Sequence, residues 1–140
     1  MLVPGFLTGD WSMRLMATTL KTWGFAPFRS GISLNVGCTN DLVDRLVERV
    51  RVISLRRQAP VAIVGWSRGG TLAKLVALQA PDDVSGIVTL VSPNANPLAV
   101  SNVVEVIPVD REFSLDNNAQ DIFIDVPAGR HTLRSEEHTS

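Results

Sequence analysis

The chain has 140 residues, of which 45% are hydrophobic, and its formal net charge is −1. This length and composition indicate one folded domain with a packed core rather than a disordered segment. Basic and acidic residues are interspersed, which argues against a nucleic-acid-binding surface, and no apolar run approaches the ~20 residues of a membrane span. A single cysteine excludes an internal disulfide framework.

The first residues, MLVPGF, carry no charged segment before their short apolar start. We therefore expect no signal peptide and a cytoplasmic protein. The expected first strand begins almost at Met1, which is compatible with a missing upstream segment. Residues 2–4 predict the end of a strand. WSMRLMATTLKTW predicts a helix that ends at Gly24, and FAPFRSGI predicts a weak strand that Pro27 breaks.

A clearer helix is predicted over residues 39–57, where six apolar side chains recur on one face at 3.6-residue spacing. They are Leu42, Val43, Leu46, Val47, Val50 and Ile53. Thr39 or Asn40 is expected to cap this helix, because both side chains can accept a hydrogen bond from its first turn. PVAIVG then predicts a strand buried on both faces, and RGGTLAKLVALQA predicts a third helix that Pro81 stops.

Three further apolar runs predict strands: GIVTLVS, VVEVIPV and DIFIDV. The alternation of strands with helices predicts an α/β fold, with a mostly parallel central sheet and helices on both faces. The loop SPNANPLAVSN between two of these strands holds no clear helix, so we expect little or no cap over a site.

The central motif is Gly65-Trp66-Ser67-Arg68-Gly69, a G-x-S-x-G pattern. In a nucleophile elbow this pattern ends a buried strand and opens a helix, and both elements are predicted here. The tight turn strains the serine backbone and exposes its hydroxyl, while the glycines let neighbouring backbone pass without Cβ clashes. The Arg68 amide is then a natural oxyanion donor. The alternative interpretation is a glycine-rich junction with a helix-capping serine.

Three segments resemble the α/β-hydrolase superfamily: VPGFLTGDWSMRLMATTLKTWGFAPF, VAIVGWSRGGTLAKLVA and GIVTLVSP. They are most similar to small bacterial esterases and lipases with a GWSxGG elbow, and the resemblance covers residues 2 to about 133. It implies hydrolysis of carboxylic esters through an acyl-enzyme at Ser67, without metal or cofactor. The alternatives are other triad chemistry on this fold (thioesterase, acyltransferase, perhydrolase) and an inactive, truncated hydrolase-like fragment.

The resemblance also implies the remaining parts of the site. Pro4-Gly5-Phe6 matches the family's loop after the first strand, in which the Phe6 amide is the second oxyanion donor. Asp110, directly after an apolar run, matches the triad acid. Two nearby carboxylates compete with it, Glu112 and Asp116. His131 matches the family's Gly-x-His ending and is the implied base.

The only two histidines, His131 and His138, lie close to the end of the chain. Residues 134–140, RSEEHTS, have no hydrolase counterpart and resemble the translation of a sequencing-library adapter. We therefore interpret residues 1–133 as an incomplete hydrolase core and residues 134–140 as a non-native tail, with a genuine polar tail as the alternative. In this interpretation the helix that usually covers one sheet face is missing, which leaves a face for dimerisation.

Four side chains near the expected mouth favour a small-molecule ester with an apolar acyl group: Phe6, Trp11, Met13 and Trp66. Ordinary packing is the alternative for each, and it is preferred for Trp11 and Met13. Asn35 either binds substrate or forms the turn of its loop. Cys38 is expected to be a small buried hydrophobic residue rather than a nucleophile.

Overall fold

The computed structural model describes residues 1–92 in full and, beyond them, the backbone of three strands at 104–108, 123–126 and 129–132. The strands are β1 (Leu2–Val3), β2 (Val61–Trp66), β3 (Val84–Leu90), β4 (Val104–Pro108), β5 (Phe123–Val126) and β6 (Gly129–Thr132). The helices are α1 (Arg14–Thr22), α2 (Thr39–Arg57) and α3 (Arg68–Gln79). Short 3-10 turns precede α1 at Asp10–Met13 and follow α3 at Pro81–Asp83.

The main sheet has the strand order β1-β2-β3-β4. Strands β1, β2 and β3 run parallel, and β4 runs antiparallel to β3. Strands β5 and β6 form a separate antiparallel pair. The weak strand predicted around Pro27 is reduced to a single bridge between Leu2 and Arg29. The predicted α/β class with a mostly parallel sheet is therefore confirmed.

Helices α2 and α3 lie on one side of the sheet, and α1 lies beside β1. Helix α3 packs on β2 and β3, and α2 packs against α3. All six residues of the predicted apolar face of α2 are buried there, in one core with Ile63, Leu72 and Ile87. Met13 and Ala17 border a cleft with Leu2, which places the start of α1 beside β1.

The prediction that β2 is buried on both faces is wrong for the described residues. Val61, Ile63 and Gly65 are buried, whereas Ala62 and Trp66 on the opposite face are exposed. The reason is the placement of the helices, because α2 and α3 cover one face while α1 lies beside β1 at the sheet edge. A continuous apolar run is therefore compatible with a half-covered strand.

The start of α2 also corrects two predictions. The residue at its N-cap is Cys38, without a side-chain capping bond, so neither Thr39 nor Asn40 caps the helix. The Thr39 hydroxyl instead accepts a hydrogen bond from the Arg68 guanidinium at 3.2 Å. Cys38 is exposed rather than buried.

The amino group of Met1 is buried at the edge of the sheet, where it donates a hydrogen bond to the Ala62 carbonyl. Burial lowers the pKa of this amino group from 8.0 to about 5. Between pH 5 and pH 8, therefore, this amino group is protonated in the unfolded chain but not in the folded chain. The stability contributed by the neutral amine is present near pH 8 and is lost as the pH falls towards 5.

We expect this group alone to lower the free energy of unfolding by about 3 kcal/mol between pH 8 and pH 5. Urea unfolding at both pH values measures the change. The control is the same chain with Gly-Ser placed before Met1, which replaces the buried, titratable amino group by a peptide N–H. If both chains lose the same stability, the titration of the Met1 amino group is not the cause.

Candidate active site

Ser67 joins β2 to α3 at the carboxyl edge of the parallel strands. Its backbone angles are φ 51° and ψ −124°, a combination that residues with a side chain rarely adopt. Strain of this kind costs on the order of 1–3 kcal/mol and persists only where neighbouring contacts hold it. The strand before Ser67 and the helix after it provide the structural context predicted for a nucleophile elbow.

Three hydrogen bonds hold the strained backbone of Ser67. Its N–H donates to the carbonyl of Leu90, the last residue of β3, at 2.8 Å. Its carbonyl accepts from the Gly70 N–H at 2.9 Å and from the Ser92 hydroxyl at 2.8 Å. Ser92 is 1% exposed, so a buried residue ties the elbow to the segment that follows β3.

Sequence reasoning missed the contribution of Ser92. The available signal was a small polar residue just after a predicted strand, at the sheet edge where the elbow was also expected. Parallel strands place their carboxyl ends along one edge, so a polar residue after β3 lies close to the residue that ends β2. This signal predicts that Ser92 lies near Ser67, but it does not predict the hydrogen bond to the Ser67 carbonyl.

The first turn of α3 packs backbone against backbone on the sheet. A Cβ atom on Gly69 would lie 2.6 Å from the Pro4 carbonyl oxygen and nearer still to that of Val3. A Cβ atom on Gly65 would lie 2.5 Å from the Cα atom of Gly70. Only glycine fits at either position, and this close approach brings the N-terminus of α3 beside the chain that leaves β1.

Residues 4–8, which we call the β1 loop, lie beside the elbow. A Cβ atom on Gly5 would be 3.4 Å from the Ser67 Cβ, which is van der Waals contact. Phe6 follows Gly5 directly, and Arg68 is the first residue of α3, where the N–H has no acceptor within the helix. The two residues predicted to donate to an oxyanion therefore lie on segments that meet at Ser67.

Asn35 has no exposed surface and contacts the β1 loop from behind. Its side-chain Nδ2 donates to the Pro4 carbonyl at 2.8 Å. Its backbone accepts from the Leu7 N–H at 3.2 Å and donates to the Thr8 carbonyl at 2.7 Å. The contacts described for Asn35, which was predicted as a substrate-pocket candidate, are thus with the loop.

Three aromatic side chains, on the β1 loop, at the end of β2 and in the turn before α1, are exposed to solvent. Phe6 is 55% exposed, Trp66 45% and Trp11 64%. The Arg68 guanidinium lies 5.7 Å from the centroid of the Phe6 ring, within the range of a cation–π interaction. The packing alternative holds for Met13, which is buried, but not for Trp11.

The predicted triad acid, Asp110, lies outside the described residues. So do its competitors and the second histidine: Glu112, Asp116 and His138. The backbone of β4 is described, and its last residue, Pro108, pairs with Gly86 near the amino end of β3. The resemblance implies a triad acid just past the strand that follows β3, and that strand, β4, runs antiparallel to β3.

His131 lies within β6, where its backbone pairs with Ile124 of β5. The expectation that it follows the last strand in a loop is therefore wrong. Strand β5, Phe123–Val126 within the run DIFIDV, pairs with β6. The sequence of β6, GRHT, has no apolar alternation from which a strand could be predicted. The roles of Asp110 and His131 remain predictions.

Within the described ranges, no helix has the length and hydropathy to cross a bilayer. The same residues contain no group of three His, Cys, Asp or Glu side chains placed to hold a metal ion.

A sequence model of the alpha/beta hydrolase fold family matches residues 12–135. The chain also resembles the solved structure of an extracellular α/β-hydrolase from a Paenibacillus species, described as sharing structural and functional homology with tobacco salicylic acid binding protein 2. The two are 18% identical with a TM-score of 0.51, over 65% of this chain and 39% of the other, so this chain spans about two fifths of that relative. A search of curated proteins found no match. By the family match, the chain belongs to the alpha/beta hydrolase fold family.

Proposed function

We propose that the chain is a serine hydrolase that cleaves carboxylic esters through an acyl-enzyme at Ser67. The observation that carries this proposal is the positive φ of Ser67 at the start of α3, with Gly5 so near that an added Cβ would lie 3.4 Å from the Ser67 Cβ. A helix-capping serine needs an extended backbone and a side-chain bond to the first turn. Ser67 has neither, which disfavours the capping alternative.

In the proposed mechanism the Ser67 hydroxyl attacks the ester carbonyl while His131 takes its proton. A carboxylate, for which the resemblance implies Asp110, holds the imidazole tautomer and stabilises the imidazolium. The amides of Phe6 and Arg68 donate to the oxyanion of the tetrahedral intermediate, where one such donor is worth about 100- to 1000-fold in turnover. His131 then returns the proton to the leaving alcohol, and water releases the acid in a second, equivalent cycle.

The exposed aromatic side chains support an apolar acyl group. Trp66 precedes Ser67 in sequence, and Phe6 follows Gly5, which lies beside Ser67 in space. Both side chains present large apolar surface to solvent. Burying such surface against an acyl chain yields about 25 cal/mol per Å². We therefore expect turnover to rise with acyl length over the first few carbons.

The test is hydrolysis of p-nitrophenyl esters from acetate to decanoate by the full chain. His131→Ala should lower kcat by at least about 1000-fold, because the base of a triad cannot be replaced by water. His138→Ala is the matched control and should leave kcat unchanged. Loss of activity in His138→Ala with retention in His131→Ala would overturn the assignment of the base.

The same panel separates the alternatives. Faster turnover of acyl thioesters, or acyl transfer to an added alcohol in preference to water, would redirect the proposal to another triad reaction. A folded chain without turnover on any of these substrates would indicate an inactive hydrolase-like fragment.

A further inference from the structure

We propose that Asn35 is a positioning residue that fixes the orientation of the Phe6 amide in the β1 loop. This inference depends on the proposed function, because the Phe6 N–H is there an oxyanion donor. Asn35 lies 31 positions from Pro4 in sequence, and its Nδ2 donates to the Pro4 carbonyl at 2.8 Å. Any residue could supply the two backbone bonds of Asn35, but only a side-chain donor supplies this one.

The β1 loop needs such a constraint because Gly5 has no side chain to restrict its backbone. The peptide group that carries the Phe6 N–H begins at the Gly5 carbonyl. That carbonyl accepts from the Thr8 N–H at 3.2 Å and from the Thr8 hydroxyl at 2.8 Å. Since a trans peptide directs its N–H away from its carbonyl oxygen, these bonds set the direction of the Phe6 N–H.

Asn35 holds the two neighbours of this peptide group. Its Nδ2 donates to the carbonyl of Pro4, in the peptide group before, and its backbone carbonyl accepts from the Leu7 N–H, in the peptide group after, at 3.2 Å. With both sides held, the Gly5–Phe6 peptide group cannot rotate without breaking a bond to Asn35 or Thr8. Asn35 therefore determines the direction of the donor without touching the substrate.

The polarity around Asn35 supports a role other than packing. Its neighbours Leu34 and Val36 are 48% and 38% exposed, while Asn35 itself is fully buried. Two apolar side chains thus face solvent while the amide between them is buried. Apolar side chains are ordinarily buried and amides exposed, so this arrangement is the reverse of the usual one. Moreover, the buried Asn35 Oδ1 has no hydrogen-bond partner among the described residues, a cost that packing alone would not select.

The test replaces Asn35 with Asp, which keeps the size but removes the donor. At pH 8 the ionised carboxylate repels the Pro4 carbonyl, and we expect kcat per active site to fall about 10- to 100-fold with KM within about twofold. Active sites are counted by the p-nitrophenol burst, so a smaller folded fraction does not lower the value. As the pH falls towards 5.5, the protonated carboxyl regains an O–H donor, and the ratio of variant to parent activity should rise.

Two further variants keep the test decisive. Asn35→Ala folds without a buried charge and should lose a similar factor in kcat, but with a ratio that does not change with pH. Val36→Ala, on the same loop, should keep the parent kcat. If the parent hydrolyses esters and Asn35→Asp retains its kcat, or its ratio stays flat with pH, the positioning role is overturned. A parent chain without turnover overturns the proposed function and this inference together.

Discussion

Ser67→Ala is expected to lower ester hydrolysis at least about 10,000-fold, the largest effect we predict. Removal of the hydroxyl removes the acyl-enzyme route, and what remains is the contribution of binding and oxyanion donors. The fold should survive, because the three bonds that hold Ser67 are made by its backbone and by the Ser92 hydroxyl. The measurement is kcat/KM on a p-nitrophenyl ester, with circular dichroism as the check on folding.

The matched control for this variant is Ser85→Ala. Ser85 is an exposed residue near the amino end of β3, at the sheet edge opposite the elbow. Its substitution should leave kcat/KM within about twofold of the parent chain. Activity that survives Ser67→Ala would refute the assignment of the nucleophile.

Gly69→Ala is expected to have the largest effect on stability, about 3 kcal/mol. The new Cβ atom would lie 2.6 Å from the Pro4 carbonyl oxygen, so α3 has to move away from β1 and the sheet. That movement also separates Arg68 from the β1 loop, and activity should fall with stability. Urea unfolding at pH 8 gives the change in the free energy of unfolding.

Gly24→Ala is the comparison for this variant. Gly24 has φ +87° and no heavy atom within 4 Å of an added Cβ, so its substitution tests backbone conformation without a clash. We expect a cost of about 1 kcal/mol and unchanged activity. If Gly69→Ala is no less stable than Gly24→Ala, the close packing of α3 on β1 does not limit this position.

The regular parts of the fold could be predicted from sequence because their signals are local. The apolar face of α2 repeats over about three turns, from Leu42 to Ile53, and the predicted bounds of the helix match Thr39–Arg57. Strand direction has no such signal. VVEVIPV reads as a strand in either orientation, and whether β4 runs parallel or antiparallel depends on the residues that connect it to β3.

The candidate site divides in the same way. The elbow is a property of five consecutive residues, so its conformation follows from the motif and its flanking elements. The inward position of Asn35 depends on contacts with residues about 30 positions earlier, and the loop sequence SLNVGCTN gives no indication of them. The triad acid and base need still longer connections, for which the apolar pattern gives only an approximate position.

The most direct measurement of the central claim is covalent labelling with diethyl p-nitrophenyl phosphate, followed by peptide mapping. A serine activated by a base and an oxyanion hole displaces p-nitrophenol and becomes phosphorylated, whereas an ordinary serine does not react at this rate. We predict one equivalent of p-nitrophenol per chain and a single diethylphosphoryl adduct on Ser67. Release of no p-nitrophenol by the folded chain, or an adduct on a different residue, would contradict the assignment of Ser67 as the nucleophile.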